Sequence, residues 1–201
     1  QSRSSAASDV YKRQDLIPLF PCALIWIDIN GDNYKDLLTL GRFQLNGVSH
    51  MYINDGMGKL IKSSDQPFEI PSILHAISVG DHNSDGYDDI AIAHLNGTEM
   101  HTNIYTNEYG SSSINEFSLH QELQGATYAS LDWGDYDNDG DLDLVTSGYT
   151  ATSTTDQGLE EYTNPITNIY QQDDQGIFIF DSSLYMICLL YTSPSPRDVE
   201  E

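Results

Sequence analysis

The densest chemistry in the chain lies in nine residues, Asp135-Tyr-Asp137-Asn-Asp139-Gly140-Asp141-Leu-Asp143. Carboxylates packed this closely repel one another unless a multivalent cation sits among them. Asp at positions 1, 3 and 5 of a tight turn directs side-chain oxygens inward, and Gly140 at position 6 lets the backbone bend sharply. The backbone carbonyl of Asp141 at position 7 and the carboxylate of Asp143 at position 9 complete a shell of hard oxygens, the chemistry of Ca2+. The loop contains no thiol or imidazole, which disfavours zinc and copper.

An acidic, solvated turn would account for one such loop, but the pattern occurs three times. Asp81-His-Asn83-Ser-Asp85-Gly86-Tyr87-Asp88-Asp89 repeats positions 1, 3, 5, 6 and 9. Asp28-Ile-Asn30-Gly-Asp32-Asn33-Tyr34-Lys-Asp36 does so with Asn33 in place of Gly, and Asn tolerates a left-handed backbone better than most residues. The loops start 53 and 54 residues apart, the mark of a structural repeat. The expected ligands are Asp28, Asn30, Asp32, the Tyr34 carbonyl and Asp36 for one Ca2+; Asp81, Asn83, Asp85, the Tyr87 carbonyl and Asp89 for a second; and Asp135, Asp137, Asp139, the Asp141 carbonyl and Asp143 for a third. Asp88 and the Asp141 side chain read as outward charges. An EF-hand would need an acidic residue at position 12 and flanking helices. Position 12 is Thr39, Ile92 and Thr146, and the flanks have the character of strands.

Those flanks are the elements that position the loops. Leu24–Ile27, Ala76–Val79 and Tyr128–Leu131 lead into them, and Leu37–Leu40, Ile90–Ala93 and Leu142–Val145 follow. Each is a short run of strand-forming residues bounded by turn chemistry. Asn46-Gly47 and Asn96-Gly97 predict hairpin turns after the second strand. Third strands are expected around Met51–Ile53, Ile104–Tyr105 and Ile169–Tyr170. After a polar turn, at Asn54–Gly58, Asn107–Gly110 and Asp173–Gly176, come fourth strands around Leu60–Ile61, Phe117–Leu119 and Ile177–Phe180. The third repeat carries an insertion of 11 residues within Ser147–Pro165.

Four antiparallel strands per repeat make the blade of a β-propeller, in which neighbouring sheets cover one another's faces. The fold class is therefore all-β, a propeller fragment of three four-stranded blades with calcium loops between first and second strands. The blades are expected over 15–72, 73–124 and 125–187. A calcium-binding parallel β-helix needs a repeat of roughly nine residues and does not fit.

The two ends read differently. Ser4–Gln14 and Cys188–Asp198 are what transposase-type sequencing adapters encode when translated in frame, so 1–14 and 188–201 are set aside as adapter sequence. The remainder is expected to be an internal piece of a longer chain with further blades. Cys22 is then its only cysteine, which supports no disulfide framework. The net charge is −23, and only Lys35, Arg42, Lys59 and Lys62 remain as cations within it. That balance argues against nucleic acid as a partner, since nothing neutralises phosphates. The apolar stretch 177–191 is too short and too interrupted for direct membrane insertion.

At the loops and the Ile-Tyr…Asn-Asp-Gly turn the sequence resembles the FG-GAP and VCBS-type repeats, the family that includes the integrin α-chain propeller. Trp133–Leu144 is similar to the family consensus. The resemblance implies a calcium-stabilised propeller blade of an extracellular or cell-surface protein, nearer the VCBS-like branch than true integrins, because the Phe-Gly and Gly-Ala-Pro signatures are largely absent. The expected function is non-enzymatic adhesion or recognition of a protein or carbohydrate ligand. The alternative is an accessory or partly catalytic propeller of an extracellular polysaccharide-degrading enzyme. No Ser/His/Asp arrangement or phosphate loop is present. The histidines, His50, His75, His82, His94, His101 and His120, have no metal-ligand spacing, although His94 and His101 could meet across a hairpin. Asn96-Gly-Thr98 is a glycosylation sequon that a turn also explains. Tyr149–Tyr162 is either a partner-binding insertion or a tolerated surface excursion.

Overall fold

The computed structural model describes residues 16–17, 19, 22–43, 46–65, 73–96, 99–109, 117–154 and 160–183. The adapter-like ends therefore lie outside the described residues, as do Gly97, Thr98, Gly110 and 155–159. Among the described residues, twelve strands form three sheets, each an antiparallel meander. The first contains β1 (Cys22–Ile27), β2 (Asp36–Phe43), β3 (Asn46–Asn54) and β4 (Leu60–Asp65). The second contains β5 (Ile73–Gly80), β6 (Asp89–Asn96), β7 (Glu99–Asn107) and β8 (Phe117–Gln124). The third contains β9 (Thr127–Gly134), β10 (Asp143–Thr154), β11 (Glu160–Gln172) and β12 (Phe178–Ser183). Among the described residues no helix is long and apolar enough to cross a membrane.

The sheets stack face to face because the second strands are apolar on both sides. In β6, Ile90 and Ile92 pack with Ile27, Leu38, Leu40 and Met51 of the first sheet. Their neighbours Ala91 and Ala93 pack with Leu131, Leu144, Tyr170 and Phe178 of the third. The two-residue alternation of a strand divides one sequence between two cores. The first strands β1, β5 and β9 lie nearest one another across the sheets, the arrangement of adjacent propeller blades. The outer sides retain exposed apolar residues: Leu24 and Trp26 on β1, Ile179 on β12. On the outer side of the first sheet the Tyr52 hydroxyl accepts a hydrogen bond from the Ile17 backbone N–H, 3.2 Å away.

One expectation about the hairpins needs correction. Asn46 and Gly47 pair with Phe43 and Arg42, so they belong to β3 and the connection falls before them. An apolar, in-register strand outcompetes the local turn preference of Asn-Gly. Asn96 ends β6, paired with Glu99, so the second and third strands of this sheet do adjoin there, and Gly97 lies outside the described residues. The insertion of the third repeat lengthens the hairpin: β10 and β11 pair from Leu144↔Tyr170 out to Thr154↔Glu160. In a meander this hairpin projects from the end opposite the acidic loops. A bulge lies between Ser147 and Tyr149, where Gly148 adopts φ +154° with a Cβ position only 2.7 Å from the Thr127 carbonyl oxygen.

Candidate metal centres

All three acidic loops connect the first strand of a sheet to the second, and all three close in the same way. The Asp at position 1 accepts the backbone N–H groups of positions 5 and 6: Asp28 from Asp32 and Asn33, Asp81 from Asp85 and Gly86, Asp135 from Asp139 and Gly140, at 2.8–3.2 Å. The Asp at position 5 accepts the N–H of position 7, from Tyr34, Tyr87 and Asp141. Position 6 is left-handed in each loop, with φ 67° at Asn33, 90° at Gly86 and 104° at Gly140. Asn33 therefore does what the glycines do. Position 4 is left-handed as well, at Gly31, Ser84 and Asn138, a requirement the Asp pattern alone does not disclose.

Position 9 has a different role from the rest. Asp36, Asp89 and Asp143 are buried, and each carboxylate accepts two backbone N–H groups. One donor is position 2 of the same loop, Ile29, His82 or Tyr136, at 2.9–3.0 Å. The other is the last residue of the third strand, Asn54, Asn107 or Gln172, at 2.7–2.9 Å. Burial, only partly offset by those donors, pushes the Asp89 carboxyl up to about 7 and raises Asp36 in the same direction. A cation in the loop would favour the ionised forms.

The loops are unequal in charge. In the third, oxygens of Asp135, Asp137 and Asp143 lie within 4.8 Å of one another, close enough to share one ion. Asp137 is raised by desolvation and by the negative charges of Asp139 and Asp143, and Gln171 donates to it. In the first two loops position 3 is Asn, and its Nδ2 donates to the position-5 Asp at 2.9 Å, relieving part of the repulsion. The oxygen-rich donor set fits a hard divalent cation, with the third loop the most demanding of one. Position 12, Thr39, Ile92 and Thr146, is buried in strand, so no EF-hand ligand exists there.

Asp88 requires a correction. It is not an outward charge: it accepts the Asp28 backbone N–H at 2.9 Å and pairs with Lys35 at 2.9 Å, joining the second loop to the first. Asn54, Asn107 and Gln172 were not singled out by sequence, although each stands two residues after the buried tyrosine of its third strand, Tyr52, Tyr105 and Tyr170. His94 and His101 do meet, as a cross-strand pair with ring centroids 5.3 Å apart. His82 is buried beside His120, Trp133 and Phe178, and its Nε2 lies 3.0 Å from the Thr106 hydroxyl. Burial holds both His82 and His94 down to about 4.

No curated protein matches the chain. A model of the FG-GAP-like repeat matches it twice, over residues 28–92 and 81–146. Each match opens at position 1 of one acidic loop and closes at position 12 of the next, so the repeat unit it detects is the loop with its flanking strands. Together with three stacked four-stranded sheets, these matches establish that the chain is a β-propeller repeat module belonging to the FG-GAP-like repeat family.

Proposed function

We propose that each acidic loop binds one Ca2+ and that the module serves adhesion or ligand recognition in a secreted or cell-surface protein. The observation that carries the first part is the convergence of Asp135, Asp137 and Asp143 on a space one ion would fill. The same backbone arrangement recurs at Asp28, Asn30, Asp32 and Asp36, and at Asp81, Asn83, Asp85 and Asp89. The ion's role is structural: it offsets carboxylate repulsion where two strands must turn. Binding to the folded state alone adds about 2.7 kcal/mol per site at a hundredfold excess over Kd.

The recognition role rests on family membership and on the extended β10–β11 hairpin, which offers a protein or carbohydrate ligand a surface remote from the loops. We read the module as non-catalytic: its carboxylates are committed to loop closure, and its most enclosed imidazoles, His82 and His94, serve packing. Exposed apolar residues on the outer sheet faces support further blades in a longer parent chain, with residues 1–14 and 188–201 as translated adapter.

Calorimetric titration with Ca2+, followed by thermal unfolding with and without chelator, tests the first part. The expected result is one ion per loop and a Tm that falls on chelation. A folded sample that binds no Ca2+ and melts identically with chelator would overturn it.

A further inference from the structure

The loops are not independent. In each, the residue at position 2 is held through its N–H by the buried Asp of its own loop. In the first two its carbonyl is held as well, by the next sheet. Asn107 Nδ2, at the end of β7, donates to the Ile29 carbonyl of the first loop at 2.8 Å and to the Asp88 carbonyl at 3.2 Å. Gln172 Nε2, at the end of β11, donates to the His82 carbonyl of the second loop at 3.0 Å. Both amides are buried, and their own backbone N–H groups bind Asp89 and Asp143. One unbroken path results: Asp36, Ile29, Asn107, Asp89, His82, Gln172, Asp143, Tyr136.

We infer that Asn107 and Gln172 are positioning residues for the cation loop of the preceding sheet, so that each sheet pre-forms its neighbour's binding site. The inference rests on the reading that the loops bind Ca2+. The physical basis is pre-organisation. Position 2 lies between the ligands at positions 1 and 3, and fixing its peptide carbonyl from outside removes freedom that ion binding would otherwise have to remove. Asn54 marks the limit of the device: its Nδ2 donates to the Lys35 carbonyl of its own loop, the counterpart of Asp88, with no earlier loop among the described residues to hold.

The test is Ca2+ titration of the whole chain followed by the backbone amides of Gly31, Gly86 and Gly140, one per loop. Gln172→Met keeps the side chain's volume and backbone N–H while deleting the donor. The midpoint at Gly86 is expected to rise about fivefold, the value of one hydrogen bond, while Gly31 and Gly140 stay within about twofold of wild type. Asn107→Leu, an independent variant, is expected to raise the Gly31 midpoint by a similar factor. A simple structural role would instead weaken the variant's own sheet. Wild-type titration with an unmoved Gly86 in Gln172→Met, or with Gly140 alone displaced, would overturn the inference. An unresponsive wild-type protein would overturn the calcium reading itself.

Discussion

The two junctions between sheets solve the same packing problem with different materials. The first meets large side chains with large side chains: Ile27, Leu38, Leu40 and Met51 against Ile90, Ile92, Tyr105 and Phe117. The second sets small residues against aromatics. Ala91 and Ala93 make room for Tyr170 and Phe178, and Gly80 lies directly beneath Trp133. The first junction is a filled core that deletion should damage; the second is a fitted one that addition should damage. They differ also in titratable content. His82 is buried on the side of the second sheet that faces the third, against Trp133 and Phe178, whereas the Lys35–Asp88 pair lies at the loop end of the first junction.

Truncating the filled core should have the largest effect. Leu38→Ala removes a fully buried side chain and is expected to cost about 2–5 kcal/mol in urea unfolding. A loss under about 1 kcal/mol would mean that the first junction is looser than its packing implies. Acid should come next and should act through the buried imidazoles of the second sheet. The folded-state values of about 4 for His82 and His94 lie below the ordinary 6.5, so the neutral forms favour folding. Their contribution is fully present above pH 6.5 and is lost as pH falls through about 4. The stability of His94→Leu relative to wild type should therefore improve between pH 7.5 and pH 4.5, and a constant difference would refute the assignment.

Enlargement of the fitted junction follows. At Gly80 a Cβ would lie 2.9 Å from Trp133 and 3.1 Å from Leu142, and Gly80→Ala is expected to cost about 1–3 kcal/mol with a changed Trp133 fluorescence. Unchanged stability and emission would show that the ring can move aside freely. The smallest effect belongs to the ion pair. Lys35 is more than half exposed, so Lys35→Ala should cost under about 1 kcal/mol, and less still in high salt. A larger, salt-insensitive cost would place more of the junction's stability at the loop end than the filled core allows.

Much of this was legible in the sequence. The loops, the strand order within each repeat and the strands flanking every loop follow from local chemistry: a run of Asp, a residue able to adopt positive φ, and alternating apolar positions. Asn46-Gly47 misled because a local turn preference is worth less than the register of a strand with a buried face. Asp88 misled because its partners, Asp28 and Lys35, lie more than fifty residues away in another sheet. The same distance hid Asn107 and Gln172. Their positions after Tyr105 and Tyr170 repeat in the sequence, but nothing local says that an amide there reaches the previous loop.

The sequence alone determined the repeat, the strands and the oxygen-rich side chains of the loops, because each depends on residues near one another along the chain. The tertiary structure alone decided which face of each strand meets which neighbour, and that one sheet holds the next sheet's loop. These depend on contacts between sheets, which no spacing within a single repeat encodes.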